Sequence, residues 1–101
     1  MNIIDLLKAL KEESVSDVFL CEGKTPQVRH HGKLETFAEQ ALTKEDFLAF
    51  VDEHLPAETW DNLVEERDID IGLSLSPMER FRLHLGFEQG AVSLVGRKVP
   101  S

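Results

Sequence analysis

Basic side chains recur at alternate positions late in this 101-residue sequence, and that spacing could bind an anion. Arg80, Arg82 and His84 are separated by the apolar Phe81 and Leu83, a period of two that is typical of a half-buried strand. The three basic side chains are therefore predicted to share one face of a sheet. Because arginine makes forked, charge-assisted hydrogen bonds to phosphate and carboxylate, the chemistry predicted for this face is anion binding.

A fourth basic residue joins this group if the turn that follows is tight. Gln89-Gly90 predicts a two-residue hairpin turn into a last strand, residues 91–98. That turn would place Arg82 directly opposite Arg97, whereas a slip of one residue would separate them. Like charges opposite one another on a sheet repel, so the pair indicates either an anionic ligand or neutralisation by carboxylates of the chain. The carboxylates considered for neutralisation are Asp68, Asp70 and Glu88.

Other chemical signals are weak, and no catalytic residue or metal ligand is assigned. The sequence has no phosphate loop of the form G-x-x-x-x-G-K-[ST], no G-x-S-x-G and no H-E-x-x-H. His30 and His31 would point to opposite faces of a strand, which disfavours a shared metal ion. Cys21 has no evident basic neighbour to activate its thiol and predicts a partly buried strand residue. The acidic run at 65–70 predicts a solvated helix end rather than a magnesium site.

Composition restricts the class of protein further. The formal net charge is -8, with 42% hydrophobic and 30% charged residues, a balance typical of one globular domain. A folded chain this acidic repels the nucleic-acid backbone, so nucleic-acid binding is not expected. No apolar run reaches the roughly 18 residues of a membrane helix. The N-terminus lacks the features of a secretory signal, and the single cysteine, Cys21, excludes an internal disulfide.

Hydrophobic periodicity predicts a helix, three strands, two helices and three strands, in that order. Thr43 and Asp46 predict a capping box at the start of the second helix, with Leu42 and Phe47 as its hydrophobic staple. Short loops between alternating strands imply antiparallel pairing, so the predicted fold is an α+β domain with helices packed on the sheet. The predicted ranges are 3–13 (helix), 17–21, 27–30 and 33–37 (strands), 43–55 and a segment after Pro56 (helices), and 69–75, 80–87 and 91–98 (strands).

Two buried stripes are predicted for the second and third helices. They are Phe47, Leu48, Phe50, Val51 and Leu55 on the second helix, and Trp60, Leu63 and Val64 on the third.

A set of residues spread along nearly the whole sequence has a recognisable order and spacing: Ser16 to Leu20, Gly23, Pro26, Arg29, Gly32, Leu34, Leu42, Thr43, Glu45, Asp70, Arg80 to Arg82 and Arg97 to Pro100. In these residues the sequence resembles one family, the PilT-like type IV pilus retraction ATPases of the type II/IV secretion ATPase superfamily. Arg80-Phe81-Arg82 is similar to that family's Arg-Phe-Arg, and Arg97-Lys98-Val99-Pro100 to its closing Arg-x-Ile-Pro. The sequence departs from the family at Phe19 and His84, where His and Asn are usual.

The resemblance implies a non-catalytic, PAS-like N-terminal domain spanning 1–101, with about six short antiparallel strands and about three helices. A RecA-like ATPase domain, absent from this chain, would follow it in a cytoplasmic bacterial hexamer that drives twitching motility. The implied partners are the ATPase domains of the same and neighbouring subunits and the pilus or secretion machinery of the inner membrane. Arginines of this domain would approach the nucleotide phosphates, a role that falls on Arg80, Arg82 and Arg97. No cofactor is implied for this chain, and ATP and Mg are implied for the full-length parent.

Three other classes of function stay open. A free-standing adaptor would bind an intact ATPase ring without hydrolysing ATP. A small-ligand sensor, which rests on fold analogy alone, would have an enclosed apolar pocket. An enzyme acting alone comes last, because no nucleophile, metal or acid-base group is evident. An isolated motor domain, by contrast, should be monomeric, since its ring contacts need the domain it lacks.

Overall fold

The computed structural model describes residues 1–100; Ser101, the end of the predicted domain range, lies outside the described residues. The described range forms three α-helices and six β-strands in the predicted order. Among residues 1–100, no helix has the length and apolar character that a membrane span requires. The helices are α1 (Ile3–Leu7), extended by a 3-10 turn at Lys8–Lys11, α2 (Lys44–His54) and α3 (Thr59–Glu66). The strands are β1 (Val15–Cys21), β2 (Gln27–His30), β3 (Lys33–Thr36), β4 (Ile69–Ser76), β5 (Glu79–Glu88) and β6 (Ala91–Lys98).

The six described strands form one sheet in the order β3-β2-β1-β6-β5-β4. Every neighbouring pair is antiparallel. The first and last strands therefore lie side by side at the centre, where Leu20 pairs with Leu94 and Phe19 with Val95. The predicted α+β fold, with helices on a six-stranded antiparallel sheet, is confirmed.

The core lies between the helices and one face of the sheet. Along β5 the apolar Phe81, Leu83 and Leu85 are buried, whereas the basic residues between them are exposed, as the period of two requires. Helix α1 and its 3-10 extension approach β6 closely at Gly96, where an added Cβ would lie 2.7 Å from Cδ2 of the fully buried Leu7. The absence of a side chain at Gly96 is therefore what allows the N-terminal helix to approach the middle of the sheet.

The start of α2 is fixed by the predicted capping box. The Asp46 backbone N–H donates to Thr43 Oγ1 at 3.2 Å, and the Thr43 backbone N–H donates to Asp46 Oδ2 at 2.9 Å. Leu42 and Phe47, the predicted staple, are both fully buried. One contact was not predicted: the amino group of Met1 donates to Asp46 Oδ1 at 2.8 Å, which ties the N-terminus to the start of α2.

Two predictions of burial are wrong. Leu48 and Val64 were assigned to buried stripes, but they are 39% and 47% exposed. Each follows a fully buried residue, Phe47 or Leu63, and one step along a helix rotates the side chain by about 100°. The apolar stripe that meets the sheet is therefore narrower than the one inferred from helical spacing.

The predicted element ends also need small corrections. The helix expected over 3–13 is α-helical only to Leu7 and continues as a 3-10 turn to Lys11. Strand β1 begins at Val15, two residues earlier than expected. Val15 is buried, pairs with His30 and closes a turn through its N–H to the Glu12 carbonyl at 3.0 Å. At the other end of the hairpin, β3 stops at Thr36, one residue before the predicted end.

The close approach at Gly96 predicts the effect of adding one methyl group. Gly96→Ala should lower the free energy of unfolding by about 1–3 kcal/mol, because the methyl group would meet Leu7 in a filled core. Gly72→Ala is the matched control, since a Cβ there has nothing within 4 Å. Chemical denaturation of both variants measures the difference, and equal stability would contradict the packing described here.

Candidate functional site

The outer face of the sheet, away from the helices, carries the predicted group of basic residues. Arg82 pairs directly with Arg97 across β5 and β6, which confirms the predicted register. Arg80 and His84 lie on the same face, and all four side chains are exposed. We call Arg80, Arg82, His84 and Arg97 the basic face. The structure thus brings together every residue that the sequence assigned to the site.

The turn between β5 and β6 sets this register. Gln89 and Gly90 have φ angles of 50° and 85°, the left-handed pair that a two-residue hairpin turn requires. Glu88 pairs with Ala91 across it, and the pairing continues without a bulge to Phe81 and Lys98. Because the turn and the ladder are both regular, Arg82 and Arg97 are held opposite each other by backbone geometry alone.

A carboxylate from β1, Asp17, partly neutralises the basic face. Arg97 Nε donates to Asp17 Oδ1 at 2.7 Å, and Ser16 Oγ donates to Asp17 Oδ2 at 2.7 Å. Arg29 Nε lies 3.4 Å from the same Oδ2. Asp17 itself is only 7% exposed, and it is the one charged residue that is buried among residues 1–100. A buried carboxylate with this set of donors is a fixed part of the structure rather than a mobile surface charge.

Opposing influences set the pKa of Asp17. Burial raises it, whereas the hydrogen bonds from Ser16 and Arg97 and the charges of Arg97 and Arg29 lower it. The lowering influences together prevail, so the pKa lies below the ordinary value for aspartate. Asp17 is therefore ionised at neutral pH and counts as a full negative charge beside Arg97.

The prediction that Asp68, Asp70 or Glu88 would neutralise Arg97 is wrong, because its partner is Asp17. Asp70 instead contacts His84, with Nδ1 and Oδ1 2.9 Å apart, and Glu88 lies 3.9 Å from Lys24. Asp17 could not be found from spacing, because it meets Arg97 only through the pairing of β1 with β6. The available signal was its place as the one charged residue of a mainly apolar strand, Val15 to Cys21.

Arg82 differs from Arg97 in having no carboxylate within 4 Å among residues 1–100. Its partner on β4 is Gly72, which has no side chain to cover it. Between Arg82 and Arg97 lies a concavity of about 340 Å³, lined also by Asp70, His84 and Val95. The guanidinium of Arg82 is therefore available to an external anion.

A second concavity, of about 590 Å³, lies on the same face over β1, β2 and β6. Phe19 contributes to it, and Arg29 lies over the Phe19 ring, 5.5 Å from its centroid. Cys21 also lines it; burial and Glu88 raise the pKa of its thiol, so the thiol stays protonated at neutral pH. The surface is a mixed one, with Lys24, Gln27 and Ser93 among its residues, rather than the enclosed apolar pocket that a sensor would need.

The histidines and acidic residues form no metal centre in the part of the chain that is described. Residues 1–100 hold no group of three or more His, Cys, Asp or Glu side chains that could bind a metal ion. His30 contacts Glu35 at 3.0 Å, and His31 lies in the β2–β3 turn with its ring 4.3 Å from that of His30. The acidic run at 65–70 is largely solvent-exposed, as predicted.

Comparison with known proteins gives matches in structure only. No family model matches the chain, and no curated protein does. The pilus retraction motor PilT, solved with bound ADP, superposes with a TM-score of 0.82 at 24% identity, over 100% of this chain and 30% of PilT. The ATPase DotB of Legionella pneumophila gives 0.80 at 18% identity, over 98% of this chain and 29% of DotB.

This chain has the fold of one segment of these proteins. DotB of Yersinia pseudotuberculosis supports the same conclusion, with a TM-score of 0.71 at 15% identity over 99% of this chain and 31% of that protein. The α+β fold with six antiparallel strands and three helices, expected from the resemblance to PilT-like ATPases, is confirmed. The chain spans less than a third of the length of each of these solved structures.

The ion pair of Asp17 predicts a dependence of stability on pH. Since its folded pKa is lowered, the stabilisation is complete above the unfolded value of about 3.9 and is lost as pH falls through the folded value. Asp17→Asn should lower the free energy of unfolding by about 1–3 kcal/mol at pH 7. The difference from the parent should shrink below about pH 4. Thermal unfolding across pH measures this, with Asp70→Asn as the control; a difference that is constant down to pH 2 would contradict it.

The two opposed arginines should respond differently to truncation. Arg82→Ala removes repulsion and no ion pair, so the free energy of unfolding should be unchanged or raised by up to about 0.5 kcal/mol. Arg97→Ala removes the 2.7 Å donor from the buried Asp17 and should lower it by about 1–2 kcal/mol. Denaturation of the two variants side by side tests this. A large decrease in the free energy of unfolding of Arg82→Ala would contradict this and show that Arg82 forms a stabilising ion pair.

Proposed function

We propose that this chain is a non-catalytic N-terminal domain of a hexameric type IV pilus retraction or related secretion ATPase. In this proposal Arg80, Arg82 and Arg97 contact the phosphates of a nucleotide held by the RecA-like ATPase domain of the same or a neighbouring subunit. The observation that carries it is the pairing of Arg82 with Arg97 on an exposed sheet face, where only Arg97 has a carboxylate partner among residues 1–100.

An anionic ligand accounts for an arrangement that is otherwise unfavourable. Like charges directly opposite on a sheet destabilise it, and this chain has 19 acidic residues against 11 Lys and Arg. Despite that excess, no carboxylate among residues 1–100 lies within 4 Å of Arg82. Two guanidinium groups on adjacent strands present several planar N–H donors, which match the oxygens of a polyphosphate.

A nucleotide is the favoured anion because of the proteins that share the fold. PilT is a motor solved with ADP, and the two DotB proteins are ATPases. The basic face fits the phosphates of ATP, since an arginine near the terminal phosphate stabilises developing negative charge. It does not fit Mg²⁺, which needs a cluster of oxygen ligands. We therefore assign Mg²⁺, together with ATP hydrolysis, to the ATPase domain of the parent protein.

The location and partners follow from the same proposal. The domain would lie in the cytoplasm, in a ring attached to the pilus or secretion machinery of the inner membrane. The other candidate, a free-standing adaptor of such a ring, would have the same fold and the same basic face. Reading the gene beyond the codon for Ser101 separates them, because the proposed domain requires a linker and a G-x-x-x-x-G-K-[ST] motif further along, and the adaptor requires a stop codon.

The anion site can be tested on the chain by titration with tripolyphosphate, followed by NMR of the backbone amides. We expect the shifts to centre on the basic face and Arg82→Ala to weaken binding about tenfold, the loss of one charge-assisted contact. Lys33→Ala is the matched control, since it removes the same charge from an exposed position on the edge strand β3. If Lys33→Ala weakens binding as much as Arg82→Ala, the anion recognises net charge alone and the proposed site is wrong.

A further inference from the structure

Asp17 contacts its two arginines through one particular nitrogen of each. It accepts a hydrogen bond from Nε of Arg97 at 2.7 Å and faces Nε of Arg29 at 3.4 Å. Ser16 Oγ supplies a third polar contact at 2.7 Å. A guanidinium has five N–H donors, and Nε carries only one of them. The contact with Asp17 therefore leaves the four donors on the two terminal nitrogens of Arg97 to other acceptors.

Those terminal donors have no other acceptor among residues 1–100. The hydrogen bonds and ion pairs of the described chain give Arg97 only its contact with Asp17. The Arg97 side chain is 69% exposed, and it lines the same concavity as Arg82. One end of the guanidinium group is thus fixed to a buried carboxylate, while the rest lies at the surface beside the uncompensated Arg82.

We propose that Asp17 is a positioning residue, which holds Arg97 by Nε so that its terminal nitrogens are preorganised for a phosphate group bound between Arg97 and Arg82. The inference rests on the proposed function, because it assumes an anion on the basic face. An arginine that is already ordered loses less conformational entropy when it binds, and so binds more tightly. Asp17 also reduces the repulsion between Arg82 and Arg97 while no anion is bound.

This proposal and simple electrostatics predict opposite results. A carboxylate close to an anion site repels the anion, so Coulomb's law alone predicts tighter binding once Asp17 is neutralised. Positioning predicts weaker binding, because Arg97 would then have to be ordered by the anion itself. Asp70 provides the comparison: it lines the same concavity and contacts His84, but has no contact with Arg97. Asp70→Asn therefore reports the electrostatic effect of removing one negative charge.

The experiment is a tripolyphosphate titration of four proteins: the parent chain, Asp17→Asn, Asp17→Ala and Asp70→Asn. It is run at about 0.15 M salt, where exposed charges are screened beyond about 8 Å. We expect Asp17→Ala to bind at least about fivefold more weakly than the parent. Asp17→Asn should fall between them, because it keeps the shape and one acceptor oxygen. Asp70→Asn should bind as well as the parent or more tightly.

A spectroscopic measurement keeps a loss of folding from being mistaken for a loss of positioning. The Nε–H resonance of Arg97 should exchange slowly with water in the parent, which a hydrogen bond to a buried carboxylate requires, and rapidly in Asp17→Ala. Amide spectra establish that each variant is folded at the temperature of the titration. If Asp17→Ala does not fold, Asp17→Asn, which preserves the side-chain shape, carries the comparison with Asp70→Asn.

The possible outcomes separate the two proposals. Tighter binding by both Asp17 variants, as in Asp70→Asn, overturns the positioning role and leaves the anion site in place. Equally fast exchange of the Arg97 Nε–H in the parent and in the Asp17 variants overturns it too. A parent chain that does not bind tripolyphosphate at all overturns the anion site, and the positioning role with it.

Discussion

The pairing of β1 with β6 is the contact on which both faces of the sheet depend. On the covered face it aligns Leu20 with Leu94 and Val18 with Gly96, beneath the N-terminal helix. On the open face the same alignment brings Asp17 to Arg97. Because successive residues of a strand point to opposite faces, a shift of one residue would bury the charged pair and expose the apolar one. The core and the candidate site are therefore specified by a single register.

The basic residues of the open face differ in whether a carboxylate compensates their charge. Arg97 is compensated by Asp17 and His84 is in contact with Asp70, but Arg82 lies opposite Gly72 with no carboxylate within 4 Å among residues 1–100. If stability alone governed this surface, an acidic side chain in place of Gly72 would remove the repulsion at little cost. The uncompensated charge of Arg82 is the one that the proposed anion would neutralise.

What could be predicted from the sequence was local, and what could not was long-range. Two features lie within a few residues of the groups that they position: the capping box of Thr43 and Asp46, and the Gln89-Gly90 turn. The local sequence pattern was therefore sufficient to predict both. Once the turn was known, the pairing of Arg82 with Arg97 followed by counting along the strands. The contact of Asp17 with Arg97 spans 80 residues and depends on the order of strands in the sheet, which no local pattern encodes.

The net charge of -8 does not contradict an anion site, because part of the acidic charge lies on the other side of the sheet. Seven of its 19 acidic residues lie on α2 and α3, which cover the far side of the sheet from the basic face. The molecule is 20 Å across in its shortest dimension, whereas salt at physiological strength screens exposed charges beyond about 8 Å. An anion that approaches the open face therefore responds mainly to Arg82, Arg97 and their neighbours. In the proposed arrangement the acidic helices would face away from the nucleotide and the basic face towards it.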